Sequence, residues 1–385
     1  VPKDVVPVRW RTLTFFFTLL VVCSAVLCFY YNQARFSHGT WDAWAIWNLR
    51  AHFLSTSGTD LYAAFAPSLA WSHPDYPLLL PTLVARLCDS GSVPGGVGPR
   101  ALAAMFTFVT ALLLVGSIAK HKGLVQGLLA MGALLSCQTF LYQGASQCAD
   151  IPMSFYILLT FSLALLACGG DGWQRQCAFV FIGPVAVMVA WTKNEGILFL
   201  LALIITSAWM TYRHRTLGKL PSRAVQLLCA SILPIITLVY FKLKLAPQND
   251  LVSGLLLPDN LEKIISIERH LQLIGLCLKG LLTFGGWPIS LFLILLLVTV
   301  LVRKTVPPSI ASIYAFGWMC MAIVFTGYYL VYLVTPHNLA WHVETSWHRL
   351  LSQYFPSILM FLFLVVDTPW QIVTPECGDV ELNAS

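Results

Sequence analysis

Residues 12–31 read TLTFFFTLLVVCSAVLCFYY, 20 residues without a charge. That length and composition match the roughly 20-residue helix needed to cross a bilayer core. The run is longer than the apolar core of a signal peptide, and no small-residue cleavage site follows it. It is therefore expected to remain as a span. Nine further apolar runs lie at 100–118, 124–142, 151–167, 177–191, 196–212, 224–241, 287–302, 309–331 and 350–366. The 385-residue chain is 58% hydrophobic and only 10% charged, whereas a soluble domain carries about 25% charged residues. The expected fold is an all-α polytopic membrane protein of about ten transmembrane helices, with one domain over 1–366 and a short cytoplasmic tail over 367–385.

Basic residues set the orientation. Lys3, Arg9 and Arg11 precede the first run, and Lys120 and Lys122 join the second to the third. Arg213, Arg215, Lys219 and Arg223 join the sixth to the seventh, and Arg303 and Lys304 the eighth to the ninth. With ten spans all of these share one side, which is then cytoplasmic. Asp42, Asp75, Asp150, Glu195, Glu262, Glu268 and Glu344 fall on the other side. This sidedness requires that 271–284, apolar but carrying Lys279, be an interfacial helix or the upper part of a broken one.

The net charge of +6 comes mostly from the cytoplasmic turns. No soluble basic stretch is interleaved with aromatics, which argues against a nucleic-acid partner. The 11 cysteines are scattered with no CxxC, so they indicate neither a zinc site nor a disulfide framework. A pairing among Cys88, Cys148 and Cys277 stays open. The first external loop, 32–99, is too apolar for a flexible linker. Trp41, Trp44, Trp47 and Leu54 recur at helical spacing behind Thr40, a candidate N-cap, and a second helix is expected over 78–87. Both are read as amphipathic surface helices.

Five polar clusters sit where apolar runs end, all on the external side. Asp42 is either an ordinary first-turn acid or a base placed to reach an acceptor hydroxyl. His73-Pro74-Asp75-Tyr76-Pro77 is kept extended by its prolines, either as a helix-entry turn or as a rigid ligand loop. Asp150, two residues before Pro152, is a helix cap or a functional ionisable group at the span mouth. Lys193-Asn194-Glu195 is a tight turn or a charge pair lining a cavity where Lys193 meets a phosphate. His337, His342, Glu344, His348 and Arg349 crowd the last external loop. They lack metal-ligand spacing such as HExxH, and Arg349 is either a phosphate ligand or a snorkelling helix-end cation.

The order of these segments resembles the GT-C type polytopic glycosyltransferases. The likeness is to the family 39 proteins related to protein O-mannosyltransferases and aminoarabinose transferases. It rests on Trp41-Asp42-Ala43-Trp44-Ala45-Ile46-Trp47-Asn48-Leu49-Arg50-Ala51 directly after the first span, then on His73-Pro74-Asp75-Tyr76-Pro77-Leu78-Leu79-Leu80-Pro81. Ala149-Asp150-Ile151-Pro152, Lys193-Asn194-Glu195-Gly196 and His348-Arg349-Leu350-Leu351 complete it, from about Arg9 to Val366. The resemblance implies transfer of a sugar from a polyprenyl-phosphate donor on the non-cytoplasmic face of a membrane such as the bacterial inner membrane. It gives Asp42 the role of base, makes Asp150 the second external acid, and puts Lys193 and Arg349 at the donor phosphate. His73, Asp75, Tyr76, Glu195 and His348 are further candidates for substrate binding. No cofactor or metal is expected, because a lipid phosphate is a good leaving group that cations can stabilise. The chain departs from the family in having one acid at Asp42 rather than an adjacent pair, and no large external C-terminal domain. The competing readings are a secondary transporter or lipid carrier, which would carry repeats and mid-membrane charges, and a polysaccharide polymerase or ligase, which would gather His and basic residues in one late loop.

The topology is testable in a cysteine-free background. Asp60→Cys is expected to react with an impermeant maleimide from outside and Arg215→Cys only from the cytoplasmic side. Labelling of both from one side would break the one-sided arrangement.

Overall fold

The computed structural model describes residues 7–56, 61–88, 96–213, 220–248, 259–302, 306 and 308–367. Asp60, Arg215, Arg303, Lys304 and the tail beyond Asp367 lie outside these. Helix α1 (Val8–Arg35) is followed by a π-helical turn, Ala43–Asn48, which runs into α2 (Leu49–Ser55). Two 3-10 turns, Leu61–Phe65 and Pro67–Ser72, lead to α3 (Leu79–Cys88). Then come α4 (Val97–Lys122), α5 (Leu124–Leu135), α6 (Gln138–Ala145), α7 (Asp150–Gly169), α8 (Gly172–Thr192), α9 (Glu195–Arg213) and α10 (Leu220–Tyr240). The last continues as a π turn, Phe241–Leu245. The chain closes with α11 (Asp259–Ile265), α12 (Ile267–Thr283), α13 (Leu291–Leu301), α14 (Pro308–Val334) and α15 (Leu339–Val365).

This is a helical, multi-pass membrane architecture. Among the described residues eight helices are long and apolar enough to span a bilayer, and the pair α5 and α6, bent by 71°, would make a ninth. The sequence reading of about ten differs at two places. Residues 124–142 do not form one straight helix, and 287–302 contributes only the short α13. The two irregularities lean on each other. Gly285 O accepts from Gln138 N (3.0 Å), Thr139 Oγ1 accepts from Gly285 N (3.1 Å), and Ser136 O accepts from Trp287 Nε1 (2.8 Å). Backbone groups freed by a break must find partners inside a membrane protein, and each break supplies them to the other. Gly285 and Gly286 have φ of +100° and +72°, values that glycine adopts at little cost.

Helix α15 is the axis of the bundle. Of its apolar window 78% is buried, against 17–50% for the other seven spans. Its start corrects the sequence reading. His342, Glu344, His348 and Arg349 are not in a loop but in the first turns of a helix that begins at Leu339. Asn338 caps it, Oδ1 accepting from Trp341 N at 3.1 Å. Polar residues facing neighbouring helices extend the span beyond what hydropathy alone reveals. Thr40 does not cap by its side chain. Its hydroxyl meets Cys148 Sγ at 3.3 Å, while its N–H donates to Ser146 O, tying the first loop to the α6–α7 junction. Cys148 and Cys277 are free thiols.

Helices α8 and α9 form a tight hairpin, because Gly196 lies against the backbone of α8. A Cβ there would sit 2.1 Å from Val189 O. Gly196→Ala is expected to destabilise the protein by about 1–3 kcal/mol, the ordinary cost of overpacking, and to displace Lys193 and Glu195 beside it. Thermal unfolding in detergent should show a lowered midpoint. An unchanged midpoint would mean that the hairpin is looser than described.

Candidate functional site

The polar clusters that the sequence scatters over 300 residues meet at one end of the bundle. They come from the loop between α1 and α3, from the C-terminal ends of α8, α10 and α14 and from the N-terminal ends of α7, α9 and α15. The opposite end holds Lys122, paired with Asp367 at 3.7 Å.

At the centre is Asp150, the first residue of α7 and fully buried. Its Oδ1 accepts from Lys193 Nζ (3.0 Å) and Gln353 Nε2 (2.7 Å). Its Oδ2 accepts from Arg349 Nε (3.1 Å), and Arg349 Nη2 completes the ion pair at 3.0 Å. The cap position of α7 is Ala149 and carries no side-chain cap bond, so the capping alternative does not apply: with three donors the Asp150 side chain serves a charge network rather than the helix terminus. Lys193 also pairs with Glu195 Oε1 (2.9 Å) and lies over the Tyr76 ring, 5.9 Å from its centroid. Burial opposes the Lys193 charge, yet Asp150 and Glu195 hold its ammonium above the ordinary lysine range. Tyr76 is pushed the same way, by burial and then by Glu195, and stays a neutral phenol.

The second carboxylate on Arg349 is Asp42, whose Oδ2 lies 2.6 Å from Nη1. The loop before Asp42 is packed at Gly39, whose φ is +76° and where a Cβ would meet Ser146 O at 2.6 Å. The two contacts of Arg349 differ in kind. The one to Asp150 is enclosed, and losing one partner of a buried pair costs about 3–5 kcal/mol. The Asp42 side chain is 23% exposed against 0% for Asp150, so water screens this pair more than the first.

A second layer lies behind. Asn194 Nδ2 donates to Asp75 Oδ2 (2.6 Å), and Lys242 Nζ donates to Asp75 O (2.7 Å) and Asn194 Oδ1 (2.5 Å). Arg50 is buried beneath the loop, donating to Ile46 O (2.7 Å) and Ser72 O (2.6 Å). Burial lowers it to about 10 against the pull of Asp75, which leaves it charged at neutral pH. Arg50, Lys193, Lys242 and Arg349 thus face Asp42, Asp75, Asp150 and Glu195, a network balanced in charge among the described residues.

A cavity of about 920 Å³ opens beside this network. Lys193, Glu195, Lys242, Arg349 and Tyr76 form its polar end, and Thr335, His342, Ser346 and Tyr332 form a second polar wall. Its remaining wall is apolar, with Ile197, Leu198 and Leu201 of α9 facing Gly327, Tyr328 and Val331 of α14. Leu201 is 52% exposed, so the cavity reaches the outer, lipid-facing flank of the bundle. Glu195 Oε2 is buried with no hydrogen-bond partner among the described residues, an acceptor in a cavity-lining side chain. Asp42 does not line the cavity. It lies on the far side of Arg349, next to the exposed rings of Trp41, Trp44 and Trp71, with Trp41–Trp44 centroids 5.9 Å apart and Trp41–Trp71 6.2 Å apart.

Of the residues singled out in the sequence, Asp42, Asp75, Tyr76, Asp150, Lys193, Glu195 and Arg349 are brought together. His348 is not: its Nε2 faces Gly280 O (2.9 Å) and Thr283 Oγ1 (3.2 Å) at the end of α12. His73 takes a left-handed φ of 50° and its ring packs on Tyr76 at 5.8 Å without lining the cavity. Lys242, Asn194 and Gln353 were missed as site residues. Lys242 and Lys244 did leave a signal, since two lysines on the external side run against the charge rule that oriented the chain. Among the described residues no group of three His, Cys, Asp or Glu is placed to hold a metal ion. Comparisons with protein-family models, with curated proteins and with solved structures returned no match.

Asp150→Asn keeps the shape but leaves Lys193 and Arg349 buried against a neutral amide. A loss of about 3–5 kcal/mol is expected, read as a large fall in the thermal midpoint. Gln353→Ala removes a neutral donor and should cost less. Equal, small effects would show that Asp150 does not organise the network.

Proposed function

We propose that this chain is a membrane glycosyltransferase of the GT-C type. It transfers a sugar from a polyprenyl-phosphate donor to an acceptor hydroxyl on the non-cytoplasmic face, with inversion at the anomeric carbon. The observation that carries this reading is the shape of the cavity: a cationic end joined to an apolar wall that reaches the lipid-facing flank between α9 and α14. A sugar-phosphate lipid is amphipathic in the same order. Its phosphate suits Lys242 and Arg349, which line the cavity. Lys193, with two carboxylates at 3.0 and 2.9 Å, acts as a fixed positive charge behind them. Glu195, which lines the same end, offers a carboxylate acceptor for a sugar hydroxyl.

In the transfer step the acceptor hydroxyl gives its proton to the Asp42 carboxylate as its oxygen bonds to the anomeric carbon. The bond from that carbon to the phosphate oxygen breaks, and the electron pair leaves with the lipid phosphate. Arg349 and Lys242 face the charge that develops there, so stabilisation is electrostatic and prepared in advance. The opposing reading, a carrier of lipid phosphates, would use the same cavity without a base.

The test is a transfer assay on purified protein with labelled polyprenyl-phosphate sugars. Asp42→Asn is expected to lower turnover by about 10²–10⁴, the range for loss of a general base. Lys242→Ala is expected to raise KM for the donor by about tenfold, as for a lost hydrogen bond to a charged group. Normal turnover by well-folded Asp42→Asn protein would remove the assigned base. Donor binding without sugar release in wild type would favour the carrier.

A further inference from the structure

The guanidinium of Arg349 stands between the cavity and Asp42 at its border. It lines the cavity, and it also holds Asp42, which lies outside the cavity. Its Nε and Nη2 lie on Asp150 Oδ2, and that carboxylate is fully buried and braced by Lys193 and Gln353. Losing this buried edge would be costly. The Nη1 edge faces Asp42, in the more open part of the site, where both side chains are about one quarter exposed. An anion that enters the cavity and reaches Arg349 therefore competes with Asp42, not with Asp150.

We infer that Arg349 couples the two halves of the site, so that a lipid phosphate bound in the cavity draws it off Asp42 and frees that carboxylate for the acceptor. The inference rests on the proposed donor cavity and adds an order to the reaction: donor first, acceptor second. Before the donor arrives, the Asp42 oxygen that would take the acceptor's proton is occupied by Arg349 Nη1. Once the phosphate holds Arg349, Asp42 is released beside the Trp41, Trp44 and Trp71 face. After the sugar has moved and the lipid phosphate has left, Asp42 passes its proton to water and Arg349 returns.

Coupling of this kind is reciprocal. If phosphate binding loosens the Arg349–Asp42 pair, removing the Asp42 charge must tighten phosphate binding. A residue that merely braced the fold would have the opposite effect, since its loss would weaken binding. The probe is a short-chain polyprenyl monophosphate that carries no sugar. Its dissociation constant is measured on the purified full chain for wild type, Asp42→Asn, Arg349→Gln and the double variant. Asp42→Asn is expected to bind about fivefold more tightly or better, within the usual range of coupling between sites. That gain should vanish in the Arg349→Gln background. Equal or weaker binding by Asp42→Asn, with wild type binding well, would overturn the coupling and leave the donor cavity standing. Absence of binding by wild type would overturn the cavity reading itself. If Arg349→Gln does not fold, the comparison of Asp42→Asn with wild type still decides.

Discussion

The buried carboxylate of Asp150 is the constraint on which the rest of the site depends. An ionised group at the end of a membrane helix is costly unless it is paired and hydrogen-bonded. Asp150 meets that demand with Lys193 from the α8–α9 turn and with Arg349 and Gln353 from α15. Three parts of the chain, up to about 200 positions apart, are thereby fixed to one another. Each recruited cation then reaches outward. Lys193 draws in Glu195 and lies over Tyr76, and Arg349 draws in Asp42. The first loop, otherwise tied down by Thr40 and Gly39, is in this way electrostatically part of the helix bundle.

Charge balance follows from the same constraint. Four cations answer four carboxylates around the network, so the site can be assembled at a membrane boundary without stranding a charge. The balance also bears on chemistry. In a neutral, partly enclosed site the arrival of one phosphate must redistribute pairs that already exist. The most exposed ion pair of the network among the described residues, Arg349–Asp42, is the one that joins the proposed donor cavity to the proposed base.

Much of this was legible in the sequence. Hydropathy marked the spans, and the distribution of Lys and Arg put the acids at one end. Of nine candidate site residues seven converge, because ionisable residues at span ends are rarely left unpaired. What escaped had physical causes. The bend between α5 and α6 and the break before α13 depend on each other through Gln138, Gly285 and Trp287, and such mutual compensation has no local signature. The last span begins at Leu339 rather than 350, because polar residues turned toward other helices lower hydropathy without ending a helix. His348 was grouped with Arg349 by adjacency, but neighbouring residues on a helix point about 100° apart, so it faces α12 instead. Lys242 was passed over because it looked like the end of a span rather than a ligand.

The central claim is that the cationic end of the cavity and its apolar wall together hold a lipid phosphate. A structure determined in lipid nanodiscs with a bound polyprenyl phosphate tests it most directly. The account expects the phosphate against Lys242 and Arg349, with the tail leaving between Leu201 of α9 and Val331 of α14. A phosphate bound elsewhere, or a tail leaving on another face of the bundle, would contradict it.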